Sequence, residues 1–258
     1  MGLVAYLFAI SGRDELPGPA LVELLGELGL TPAAARQLFV RMRAAGQLAG
    51  HRSGRRTAYR LAGPVARQVA ALSGPPPAAS WDGRFHALLH HVPERERAVR
   101  DRLRRVAGLL GYGPLQPGVL IALHDRRDDV DAALGPLPGG AVVRHTRLEL
   151  DAADAAEAAS TAWELPALAA DLRAHHVPIR AALAEPGDPP ATPGTLRRLA
   201  ALTNQTNVDL LRDPGLPLAL QPPDWPADAL RRDLGALAGR WLGPVRAFVA
   251  ARVAAHGG

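Results

Sequence analysis

The chain has 258 residues, enough for two or three modules with cores of their own, and 48% of them are hydrophobic. It contains no cysteine, which excludes disulfides and thiolate metal sites, and its longest apolar stretch, Gly2 to Ile10, is far short of the ~18 to 20 residues that a membrane-spanning helix needs. All 30 basic residues are arginines, but a net charge of +5 is shared by many proteins that touch no nucleic acid, so the placement of the charge matters more than its total.

The opening stretch lacks the basic flank and small-residue cleavage pattern of a secretory signal, so it reads as a buried first helix of a cytoplasmic protein. Leu3, Leu7 and Phe8 recur at helical spacing; Leu16 to Pro19 breaks the chain; Leu21, Leu24, Leu25 and Leu28 form a second apolar stripe. Thr31 is an N-cap, with Pro32 at the first helical position, for a third helix that runs to about Ala45 and stops at Gly46. On a helical projection Ala35, Leu38, Phe39, Met42 and Ala45 share one arc, and Arg36, Gln37, Val40 and Arg41 share the other. Gln47 to Arg52 and Thr57 to Leu61 then flank Ser53-Gly54-Arg55-Arg56, the pattern of a β-hairpin with arginine at its tip. Three helices followed by such a hairpin predict a winged helix-turn-helix over residues 1–74.

The charge sits in that module. Residues 1–74 hold nine arginines and four carboxylates (Asp14, Glu15, Glu23, Glu27), whereas the rest of the chain holds 21 of each sign. Between Glu27 and Asp82 there is no carboxylate at all, and eight arginines fall there. Phosphate binding works by replacing condensed counterions with fixed cations, so an acid-free basic stretch is the footprint of a DNA contact surface. Arg36, Gln37 and Arg41 are placed to read base edges in the major groove, and Arg43, Arg52, Arg55 and Arg56 to hold the backbone.

Gly74-Pro75-Pro76-Pro77 is a semi-rigid spacer. Beyond it strands are read at Arg84–Val92, Gly118–Leu123 and Ala141–Leu148, with helices at Glu94–Leu110 and Arg126–Leu134, which predicts a ferredoxin-like α+β domain over residues 80–150. Residues 151–258 carry no strand signal and form a helical domain for effector binding or dimerisation. Its helical stretches lie around Trp163 to His175, Thr195 to Arg212 and Ala227 to His256. Leu230, Leu234, Leu237, Trp241, Val245, Phe248 and Val249 share one side of the last helix, a face to be buried within the chain or in a dimer. The fold class is therefore α+β.

At four places in order the chain resembles the PaaX family of bacterial transcriptional repressors, the regulators of phenylacetate degradation. These are Arg52 to Leu61 in the hairpin; Trp81-Asp82-Gly83-Arg84-Phe85 with Val92 to Arg97; Leu110 to Val119; and Leu211-Arg212-Asp213-Pro214 with Leu216-Pro217 and Pro223-Asp224-Trp225-Pro226. The resemblance implies a winged-helix domain, a central domain akin to a small CRISPR-associated nuclease, and a helical C-terminal domain. It also implies a homodimer that represses from a palindromic operator in double-stranded DNA until a small effector, typically an aryl-CoA or similar acyl-CoA thioester, releases it. The chain departs from the family pattern at Leu202 to Asp209, where an aromatic and a cation give way to neutral polar groups. Trp163 with Asn204 and Asn207 is the expected wall of an effector pocket.

Other chemistries find less support. A nuclease of the central domain's kind needs a metal-binding carboxylate near the end of its first strand, and Arg84 to Pro93 has none. Adjacent histidines on a strand, as at His90-His91, point to opposite faces and do not share a metal. No phosphate-binding glycine loop, nucleophile elbow or zinc-protease motif is present, so no enzyme activity, metal or cofactor is expected. The competing reading is a sensor or scaffold that keeps the fold without binding DNA.

Overall fold

The computed structural model describes residues 2–53, 56–63, 65, 66, 69 and 81–256. Gly54 and Arg55 of the hairpin tip and the Gly74 to Pro77 spacer lie outside the described residues. Two compact units are formed, one from Met1–Pro75, Leu172–Leu210 and Asp228–Gly258, the other from Pro76–Asp171 and Leu211–Ala227.

In the first unit, α1 (Leu3–Ser11) is apolar on all sides and is buried accordingly, Tyr6 and Leu7 completely. The chain then forms a two-residue strand, β1 (Leu16–Pro17), where a simple break was expected. Leu16 pairs with Tyr59 and Pro17 with Ala58, an edge position that tolerates the missing proline N–H. α2 (Gly18–Glu27) buries Leu21, Leu24 and Leu25. In α3 (Pro32–Ala44) the Thr31 hydroxyl accepts the Ala34 N–H at 3.2 Å, the N-cap the sequence predicts. The helix ends in a Schellman motif: Gly46 takes φ +66°, its N–H reaches the Arg43 carbonyl, and the Gln47 N–H reaches that of Met42. Ala45, expected on the core arc, is instead the exposed C-cap residue, because the helix has already ended there.

β2 (Leu48–Ser53) and β3 (Arg56–Leu61) form the predicted antiparallel hairpin, and the sheet order is β1-β3-β2. This is the winged-helix arrangement, with Phe39 of α3 held on the sheet by the Tyr59 ring, centroids 5.0 Å apart.

The second unit contains β4 (Arg84–His91), a 3₁₀ turn at Glu94–Glu96, α4 (Arg97–Leu109), β5 (Gly113–Gln116), β6 (Val119–Ala122), α5 (Arg127–Leu134) and β7 (Val142–Glu149). All strand pairs are antiparallel, in the order β5-β6-β4-β7. Second, third, first, fourth is the ferredoxin-like order. Alternation along β4 fills both faces. Leu88 meets Leu103 and Ala107 of α4 and Val130 and Leu134 of α5, whereas Phe85 and Ala87 meet α6 (Ala152–Ala162). His90 is half-buried and His91 exposed, as the strand alternation requires.

α6 was not expected; its inward face is Ala155, Ala158, Ala159 and Ala162. α7 (Leu165–Ala184) likewise continues past His175 and through Pro178. Pro178 is exposed, and so is Ala174, whose carbonyl the missing proline N–H would otherwise have met. α8 (Pro193–Leu210) and α9 (Ala227–Ala255) complete the helices. On α9, Leu230, Leu237, Trp241, Val245, Phe248 and Val249 are buried within the chain's own fold, and Leu234 is half-buried.

Candidate nucleic-acid interface

α3 carries the candidate surface. Its core side rests on Ala35 and Phe39, both buried, and its outer side exposes Arg36, Gln37, Val40 and Arg41, with Arg43 exposed in the last turn. Val40, between them, is 67% exposed, as single apolar residues on a protein surface commonly are. Arg52 is exposed near the end of β2, and Arg56 opens β3 in register with Ser53. Arg55 lies outside the described residues. The fold therefore gathers Arg36, Gln37 and Arg41 on one exposed helical face.

The carboxylates of this module are turned to other partners. Glu15 meets His51 at 3.0 Å, Glu27 accepts from Arg197 at 2.7 Å, and Glu23 meets Arg252 at 2.9 Å and His256 at 2.7 Å. Arg36, Arg41 and Arg43 have no ion-pair or hydrogen-bond partner among the described residues. Three of the four acids are thus satisfied by Arg197, Arg252, His51 and His256, and these α3 cations remain available for an external anion. Arg197, Arg252 and His256 could not be found from the sequence, since nothing in their local pattern says which carboxylate they face.

The expected effector residues divide between the units. Trp163 caps α6, its indole N–H donating to the Gly111 carbonyl at 3.3 Å and its ring 6.3 Å from that of Phe85. It walls a cavity of about 520 Å³ shared with Tyr112, His124, Arg126, Leu211 and Arg212. Burial pushes the Tyr112 phenol above its usual range. Leu109, 82% exposed, stands at this cavity. Asn204 and Asn207 belong to α8 in the first unit, where the Asn204 side-chain oxygen is shut from solvent without a partner among the described residues.

Histidines and acids are engaged in pairs. His175 and His176 diverge to Asp209 at 2.8 Å and Asp233 at 2.6 Å, and Asp82 accepts from Arg147 at 3.1 Å and from the Arg84 N–H at 3.2 Å. No group of three metal-ligating side chains occurs among the described residues.

Three helices with a hairpin, followed by a ferredoxin-like sheet-and-helix domain, define the class of fold to which the described residues belong. Family models agree with that reading, one described as "PaaX-like protein" matching residues 9–65 and one described as "PaaX protein central Cas2-like domain" matching residues 78–160. The chain belongs to the PaaX family, a family of regulators. Among solved structures it is similar to the uncharacterized protein Rv0674 from Mycobacterium tuberculosis, at 26% identity and a TM-score of 0.54 over 92% of this chain and 89% of that one. No curated protein matches the sequence. No described helix is long and apolar enough to cross a membrane.

Proposed function

We propose that this chain is a non-enzymatic, sequence-specific DNA-binding transcriptional regulator: a homodimeric repressor released from a palindromic operator by a small-molecule effector. The observation that carries the reading is the exposed face of α3, where Arg36, Gln37 and Arg41 stand together while the nearby acids Glu23 and Glu27 are bound elsewhere. An arginine in the major groove donates two parallel hydrogen bonds to guanine, and glutamine pairs similarly with adenine. Arg43, Arg52, Arg55 and Arg56 hold phosphates on either side of that contact. The effector is of the acyl-CoA thioester class by family resemblance. The cavity walled by Trp163 supports this, offering an apolar wall with Arg126, His124 and Arg212 beside it.

Fluorescence anisotropy on DNA from upstream of the chain's own gene, against scrambled DNA of equal length, tests the proposal. The expected result is preferential binding that Arg36→Ala weakens. Equal affinity for both DNAs would refute it in favour of a sensor or scaffold of the same fold.

A further inference from the structure

Beside the candidate DNA-reading face lies a cleft of about 630 Å³, lined by Pro19, Val22 and Glu23 of α2, Arg36 and Phe39 of α3, Thr57 and Tyr59 of β3, and His256. The volume falls within the ~300 to 1,000 Å³ range of small-molecule sites. Its walls are predominantly carbon: the half-buried Tyr59 ring, backed by the nearly buried Phe39 with ring centroids 5.0 Å apart, a proline and a valine. A DNA phosphate has no use for such walls, whereas a flat aromatic body gains burial against them.

The polar groups select the ligand's charge. Glu23 is already neutralised by Arg252 at 2.9 Å and His256 at 2.7 Å. Arg36 is the lining cation without a partner among the described residues, and a guanidinium accommodates a carboxylate through two parallel hydrogen bonds. We infer that this cleft is a binding site for a small aryl carboxylate, whose ring lies against Tyr59, Pro19 and Val22 and whose carboxylate pairs with Arg36. Arg36 cannot serve this ligand and a guanine at once, so occupancy releases DNA directly at the reading helix. This release rests on the DNA-binding reading above; the binding site itself does not.

The test begins without DNA. The full chain is titrated with 2-naphthoate, followed by ligand fluorescence and calorimetry, and in parallel with its neutral analogue 2-acetylnaphthalene. Saturable binding at one site is expected. Arg36→Gln should weaken naphthoate by at least about tenfold, which corresponds to ~1.4 kcal/mol, and leave the neutral analogue within about twofold. Thr57→Trp, which fills the cleft from an exposed strand position, should weaken both ligands. Thermal unfolding of each variant confirms that the fold is intact. Absence of saturable binding, or binding that survives both substitutions, overturns the site. In a second arm, saturating naphthoate should lower the affinity of the wild-type chain for its upstream DNA. Unchanged DNA affinity with naphthoate bound overturns the release mechanism alone, and failure to bind DNA at all refutes the parent reading while the first arm stands.

Discussion

The contact between the Tyr6 phenol and the Thr203 hydroxyl, 2.9 Å apart and 197 positions apart in sequence, ties α1 to α8. The Thr203 hydroxyl proton is committed to the Leu199 carbonyl at 2.8 Å, so Tyr6 must be the donor to Thr203. Burial pushes the Tyr6 phenol above its usual range, so it stays protonated and able to donate. Tyr6→Phe removes the donor and leaves Thr203 still donating to Leu199, at a cost of about 1 kcal/mol. Thr203→Val strands a buried phenolic O–H instead, which costs about 2 kcal/mol. The double variant strands nothing, so its loss should be no larger than about 1.5 kcal/mol, well under the sum of the single losses. Urea unfolding of the four proteins, monitored by circular dichroism, measures the cycle. Strict additivity, or a Tyr6→Phe loss exceeding that of Thr203→Val, would refute the donor assignment.

Three further outcomes follow from the structure. Arg36→Ala should lose ~1 to 3 kcal/mol of affinity for the preferred DNA and relax its sequence preference, whereas Arg52→Ala should weaken all sequences alike and reduce the salt slope by about 1, both read from anisotropy across a salt series. A Cβ at Gly113 would stand 2.3 Å from the Ala162 carbonyl oxygen, so Gly113→Ala forces β5 away from α6 and should cost about 2 to 3 kcal/mol in urea unfolding; a loss below about 0.5 kcal/mol would contradict the close approach. Burial, helped by Arg104 and Arg100, holds the His90 imidazole below its ordinary value of 6.5. The unfolded chain then binds this proton more readily than the folded one, so the wild type should lose stability relative to His90→Gln as pH falls through 6.5, and parallel profiles from pH 8 to 5 would refute the burial argument.

Legibility in the sequence tracked the strength of local signals. α3 was readable because Thr31-Pro32 and Gly46 are specific start and stop chemistry and because its arginines fall on one arc. The hairpin was readable for the same kind of reason. β1 was not, since two residues including a proline have no period of their own and become a strand only by pairing with Tyr59 and Ala58. β5 contains Pro114 and is likewise an edge strand defined by its neighbour β6. α6 escaped because Ala155, Ala158, Ala159 and Ala162 bury a small-residue face that hydrophobic periodicity barely registers. At the candidate interface the arginines were visible in the sequence, but the neutralisation of Glu23 and Glu27 depends on residues more than 160 positions away.

The first unit is discontinuous, and this bears on how the chain is born. Synthesis delivers residues in order, at ~5 to 20 per second, so the winged helix emerges long before the segments that pack with it. Until then Tyr6 lacks Thr203, and the Ile10 carbonyl lacks the Arg246 guanidinium that donates to it at 3.1 Å. The ferredoxin-like strands and helices between Arg84 and Glu149 are made while α1, packed so far only within its own module, still waits for these partners. A message cut short in the last thirty or so codons would lack Arg246 and leave the Ile10 carbonyl without that donor, so a prematurely stopped product should be less stable and more readily proteolysed than the full chain.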